Sequence, residues 1–131
     1  MSANIPSHLF EMPIYKKAIE IFALSQNISR YLNHDLSHLN SDGSEDVDIY
    51  FSGDIVQQSV SLLPEIVSAE LERYSERKHY HIASLKRLTN KLYSNSYRLE
   101  KSNSNGKDFL PILRSELKKF RKLQRSWMLT L

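Results

Sequence analysis

The sequence predicts an all-α, antiparallel up-down four-helix bundle, and three observations carry that expectation. Four segments place their apolar residues at helical spacing, and polar turn-forming stretches separate them. Only three glycines and four prolines punctuate the chain, too few for the many turns of an all-β fold. With 131 residues, 40% hydrophobic and 25% charged, the chain suits one globular domain, 1–131, built on a single core.

The first helix is expected over about residues 13–35. Pro13 sits where a first turn tolerates a missing N–H, and Ile14, Ala18, Ile21, Phe22, Ile28, Tyr31 and Leu32 follow at helical spacing. Asn40-Ser41-Asp42-Gly43-Ser44-Glu45-Asp46 has no periodicity and reads as an acidic loop. The second helix, about 48–74, carries Ile55, Val56, Val60, Leu62, Leu63, Ile66, Val67, Leu71 and Tyr74 over an arc of roughly 180°, wider than a seam to one neighbour requires. It is therefore the central element, with partners on two sides. An interruption is expected around Ser52-Gly53. A kink is expected at Pro64, which removes one ladder hydrogen bond while the apolar pattern continues in phase beyond it.

Ser75-Glu76-Arg77-Lys78 leaves room for only a tight connection, with Ser75 as the N-cap of a third helix over about 77–101. Its seam is Ile82, Leu85, Leu88, Leu92 and Leu99, close to heptad spacing. Ser102-Asn103-Ser104-Asn105-Gly106 breaks it, and a fourth helix, about 108–130, follows with Pro111 in its first turn. Leu110, Leu113, Leu117, Phe120, Gln124, Trp127 and Leu131 form the most regular seam in the chain. The wide arc of the second helix and the apolar run Trp127-Met128-Leu129 predict self-assembly, since soluble monomers seldom leave such surface exposed.

The absence of cysteine excludes a disulfide framework, a thiolate metal site and a cysteine nucleophile. The first residues, Met1 to Pro6, lack the basic start and apolar run of a signal peptide, and no stretch is long and apolar enough to span a bilayer. A soluble, cytoplasmic protein with no membrane partner is expected. The net charge of +3 conceals a division: residues 1–72 hold three bases against eleven acids, a net of −8, and residues 73–131 hold fifteen against four, a net of +11. The halves attract each other inside a bundle, or the basic half meets a polyanion.

The basic half is patterned. On the third helix Arg87, Lys91, Arg98 and Lys101 fall within about 80° of one another, and on the fourth Arg114, Lys118, Arg121 and Arg125 fall within about 60°, with Lys122 beside them. Partners of opposite sign one turn away are almost absent, so the stripes are not locally neutralised and suit nucleic-acid phosphates, RNA or DNA. Tyr93 and Tyr97 flank the first stripe, where they are placed to stack on unpaired bases or simply to border the core.

Three other constellations carry weaker chemistry. Glu70 is the one charge near the middle of the second helix's apolar arc and needs a partner there; the expectation is that the helix is frayed or exposed near its end or that Glu70 makes a structural ion pair, because no second carboxylate stands by to make an acid–base couple. His34 and His38 have the i, i+4 spacing of zinc ligands, but Asp42 or Asp46 across the loop is a weak offer of a further ligand, so two exposed histidines at a fraying helix end, with no metal and no cofactor, are expected. Arg73 and His79 have the Arg-x5-His spacing of the all-helical HEPN ribonucleases, in which His79 would act as general base and Arg73 would hold phosphate. His79 and His81 otherwise read as surface residues.

Tyr15-Lys16-Lys17-Ala18 with Glu20-Ile21, and Gln57-Gln58-Ser59-Val60-Ser61-Leu62-Leu63-Pro64, resemble the four-helix-bundle family of ribosomal-RNA intervening-sequence proteins and the related accessory variability determinant of diversity-generating retroelements. Beyond Pro64 that family continues Asn-Ile-Ala-Glu-Gly, where this chain has Glu65-Ile66-Val67-Ser68-Ala69-Glu70-Leu71. The resemblance implies a pentamer of bundles and, in the retroelement branch, a basic protein that binds nucleic acid and a reverse transcriptase. The expectation is thus a non-enzymatic, oligomeric accessory protein with no catalytic residues. A HEPN-like ribonuclease and a scaffold that binds no nucleic acid are the alternatives.

Overall fold

The computed structural model describes residues 5–37, 39–102 and 104–131. A short 3-10 turn, Ser7–Glu11, leads into α1, Pro13–Leu36, with proline at the first position, where its missing N–H costs nothing. α1 buries Ile14, Ala18, Ile21, Ile28, Leu32 and Leu36 along one stripe, but Tyr31 falls off it and is exposed. In the acidic loop, Asn40 N–H donates to Ser44 O at 2.8 Å around Gly43, whose φ of +86° lies where L side chains are strained.

The expected second helix is two segments of one arm, α2 (Asp48–Val60) and α3 (Leu62–Leu71). The break falls at Ser61, because Pro64 lacks the N–H that would bond the Val60 carbonyl and its ring crowds that carbonyl. Ser61 stays in the right-handed region and bonds Gln57 O through its amide at 3.2 Å and its hydroxyl at 2.7 Å. The helix runs unbroken through Ser52 and Gly53, contrary to expectation. Ser52 is buried against α1, where its hydroxyl donates to Asn33 Oδ1 at 3.0 Å and meets Ser29 Oγ at 2.9 Å.

The arm ends at Leu71 rather than Tyr74. Glu72 is extended, and its carboxylate accepts from the amides of Arg73 at 3.1 Å and Tyr74 at 3.3 Å, holding the chain in a turn. Tyr74 is the cap residue of α4, Ser75–Leu99, so Ser75 is the first helical residue and not the cap. A 3-10 turn, Asn105–Phe109, then leads into α5, Leu110–Met128, with Pro111 in the first turn.

That last connection is fastened to the end of α1. Ser104 Oγ donates to Asp35 Oδ2 at 2.5 Å and accepts from Gly106 N at 3.0 Å, while Asn105 N donates to the same carboxylate at 3.1 Å. The Ser104 hydroxyl holds the Asp35 carboxyl below its usual range. Gly106 is needed for closeness: a Cβ there would lie 2.9 Å from Tyr31 Cβ.

α1 packs on α2 and α5, and α4 packs on α2, α3 and α5, so four rods close a square with each neighbour antiparallel. The core is filled by Ile21, Ile28 and Leu32 of α1, Ile55, Leu62 and Ile66 of the arm, Leu85, Leu92 and Leu99 of α4, and Leu113, Leu117 and Phe120 of α5. The wide arc of the arm is mostly consumed within the chain. Ile55, Leu62 and Ile66 are buried, Val56, Val60, Leu63 and Val67 are half-buried, and Leu71 and Tyr74 are exposed. At the C-terminus Trp127 is buried and Met128 half-buried, leaving Leu129 as the exposed member of that run. Among the described residues no helix is long and apolar enough to cross a membrane.

Candidate nucleic-acid interface

The seam of α5 turns Leu113, Leu117, Phe120, Gln124 and Trp127 into the core, which sets Arg114, Lys118, Arg121 and Arg125 on its flank toward α4 and solvent. Two of these arginines reach across to tyrosines of α4. The Arg121 guanidinium lies 4.6 Å from the Tyr93 ring centre and donates to Asn90 Oδ1 at 3.0 Å; that of Arg114 lies 5.1 Å from Tyr97 and is paired with Glu100. Each of the two tyrosines thus carries an arginine of α5 over its ring. The guanidinium keeps the Glu100 carboxyl below its usual range.

On α4 the rim that meets α5 is made of Lys86, Asn90, Tyr93 and Tyr97. The anticipated stripe splits around it. Arg98 turns the other way, onto α2, where it lies 3.5 Å from Asp48 and 4.0 Å from the Phe51 ring centre. Arg87 and Lys91 are exposed, and Lys101 lies 5.3 Å from Tyr97. Sequence spacing showed almost no opposite charges one turn away, yet Asp48 and Glu100 pair with Arg98 and Arg114 from other elements. Among the described residues Lys86, Arg87, Lys91, Lys101, Lys118, Arg121, Lys122 and Arg125 have no ion pair. These cations lie around the middle of α4, at Lys101 just beyond its end, and along α5 from Lys118 to Arg125.

Between α4 and α5 lies a cup of about 270 Å3 lined by Lys86, Thr89, Asn90, Arg121, Gln124, Arg125 and Met128, with no carboxylate among the described residues. A larger concavity, about 700 Å3, lies on another side, between α1 and the start of α5, around the stacked Tyr31 and Phe109. It is mainly apolar and, among the described residues, carries only Arg30 and His34 as basic groups, so the greater volume and the cationic chemistry do not coincide.

Lys86 is the functional candidate that spacing missed. It lies outside the 80° stripe of α4, yet its i+4 and i+7 neighbours, Asn90 and Tyr93, are the residues that touch α5; the signal was register with the α5 seam, not charge clustering.

The other constellations resolve into local roles. Glu70 is half-buried and accepts from the neutral Trp127 Nε1 at 2.6 Å, a hydrogen bond in place of the expected ion pair or frayed end, and it ties α3 to the end of α5. His81 is not a plain surface residue: its Nδ1 lies 2.8 Å from Glu65 Oε2, and both side chains are 22% exposed. Arg73 and His79 are both exposed, and among the described residues no hydrogen bond joins them. His34 is exposed, and His38 lies outside the described residues. Among the described residues no three His, Asp or Glu side chains gather into a metal-binding group. In comparisons with known proteins, no family model, no curated protein and no solved structure matches this chain.

Proposed function

We propose that this chain is a non-enzymatic, oligomeric helical-bundle accessory protein that binds nucleic acid through the cationic groove between α4 and α5. The observation that carries the proposal is the meeting of Lys86, Arg121 and Arg125 at the α4–α5 cup, with exposed Arg87, Lys91, Lys118 and Lys122 on the same two helices; among the described residues none of these has an ion-pair partner and no acid lines the concavity. A solvated face of ordinary charges would intermix both signs. Phosphate contacts from such a face would fix position without reading sequence, so RNA and DNA both fit it.

Oligomerisation belongs to the same proposal. The half-buried row Val56, Val60, Leu63 and Val67, ending at exposed Leu71, is the part of the arm that the chain leaves incompletely covered. The resemblance of the segments around Tyr15 and before Pro64 to the intervening-sequence and accessory-variability-determinant bundles favours a ring of five copies. It also favours a protein partner such as a reverse transcriptase. Native mass measurement of the full chain, with and without added RNA or DNA, tests assembly and binding together. The expected result is a multiple of 15.3 kDa that takes up nucleic acid. A lone 15.3 kDa species that stays free of both would overturn both parts.

A further inference from the structure

We propose that the cup between α4 and α5 is a receptor for a terminal phosphomonoester, the phosphorylated end of a nucleic-acid strand. The inference rests on the nucleic-acid reading above and specifies which part of the strand the groove grips. Its donors come from both helices. Lys86 stands on α4, and Arg121, Arg125 and Gln124 stand on α5. Arg121 is held in place, since one guanidinium nitrogen donates to Asn90 Oδ1 at 3.0 Å and the group lies 4.6 Å from the centre of the Tyr93 ring. A guanidinium has five N–H donors, so most remain for a ligand.

The floor carries a polar group in want of a partner. Gln124 lines the cup at 4% exposure, and its amide nitrogen has no hydrogen-bond partner among the described residues. Leaving a buried amide unpaired costs free energy that an oxyanion acceptor would recover. Thr89, the other polar floor residue, already donates its hydroxyl to Leu85 O at 2.8 Å and is not in play.

The charge count selects the phosphate. Among the described residues three cations line the cup and no carboxylate does. A diester in mid-strand brings one negative charge and two free oxygens. A monoester brings about −1.5 to −2 charges near pH 7 and three strong acceptor oxygens, enough to engage donors from two helices at once. Charge-assisted hydrogen bonds of this kind are the strong ones. The mid-strand phosphates then fall to the flanking lysines and arginines, which lack such a cup.

The test uses the full chain and one single-stranded oligonucleotide with an internal fluorophore, prepared with a 5′-phosphate, a 3′-phosphate or hydroxyls at both ends. Anisotropy at near-physiological salt should show one phosphorylated form binding about tenfold or more tightly than the hydroxyl form. Lys86→Gln, and separately Arg125→Gln, should bring that ratio close to one, whereas Lys122→Gln should weaken all three forms and keep it. Circular dichroism of each variant confirms the fold. Equal affinities for the three forms, or a ratio that survives Lys86→Gln and Arg125→Gln, would overturn the pocket and leave the groove's nucleic-acid role standing. Absence of binding by every form would remove both.

Discussion

Replacing Trp127 by phenylalanine tests whether Glu70 is a structural residue. The indole Nε1 donates to Glu70 Oε1 at 2.6 Å, a neutral donor on a charged acceptor, and the pair joins α3 to the last turn of α5. Hydrogen bonds to charged groups contribute about 1.5–3 kcal/mol, and the half-buried carboxylate regains some water when the indole is gone. The expected cost is therefore about 1–2 kcal/mol, phenylalanine keeping most of the apolar packing of a ring that is 5% exposed. With an unfolding entropy of about 2.1 cal/mol/K per residue, a chain of 131 residues loses roughly 4–7 °C in Tm for that cost. Glu70→Gln should cost less, since the amide oxygen still accepts from the indole without the charge assistance. Urea denaturation of the two single variants and the double variant gives the coupling energy, and because Trp127 is the only tryptophan, its fluorescence reports Glu70→Gln directly. Coupling of at least about 0.5 kcal/mol, the charge-assisted part of the bond that glutamine gives up, is expected; additive single effects would refute that assistance, and an unchanged midpoint for Trp127→Phe would refute the pairing.

Gly106→Ala should destabilise by about 1–3 kcal/mol, because the new methyl meets Tyr31 Cβ at 2.9 Å and Ser104 Oγ at 3.2 Å; an unchanged urea midpoint would contradict that close approach. The Asp35 carboxyl, held low by the Ser104 hydroxyl, binds its proton less readily in the folded chain than in the unfolded one. The stabilisation is therefore present above about pH 4 and lost as pH falls through the folded value, and Asp35→Asn should flatten the acid limb of a midpoint-against-pH curve. The purified protein should not cleave single-stranded RNA. Metal-independent cleavage that His79→Ala abolishes, with the fold intact, would establish the ribonuclease alternative.

The fold was legible in the sequence wherever a side chain has one plausible place. The α5 seam from Leu110 to Trp127 is buried residue for residue, since a leucine or phenylalanine at helical spacing has no cheaper location than the core. Serine is ambiguous, and the interface serines stayed hidden. Ser59 and Ser96 bury their hydroxyls by donating to Val56 O at 2.9 Å and Tyr93 O at 2.7 Å, within their own helices, so nothing in their spacing announces burial. Helix ends were read less well. Apolar Leu71 and Tyr74 extend the periodicity past the point where Glu72 turns the chain with its own carboxylate. The basic stripes illustrate the same limit. Periodicity put Arg114 and Arg98 on outward faces, but Glu100 and Asp48 reach them from other elements, and Lys86 gains its place only once α4 is docked on α5. Charge pairing across helices depends on rotation and register, which single-helix spacing does not contain.

The central claim is that unpaired cations of α4 and α5 contact nucleic-acid phosphates, and the salt dependence of binding tests it most directly. Each phosphate neutralised releases condensed counterion, giving a slope of about −0.7 to −0.9 in log affinity against log salt per phosphate. The wild-type chain is expected to bind RNA or DNA with a steep slope that varies little with sequence. Lys118→Gln, Arg121→Gln and Arg125→Gln together should weaken binding and flatten that slope by about one unit for each phosphate that is no longer neutralised, with the fold intact because the three lie off the Leu113, Leu117 and Phe120 seam. Wild-type protein that shows no salt-dependent binding to RNA or DNA at about 50–100 mM salt, where phosphate contacts are favoured, would contradict the account and leave the groove a solvated surface.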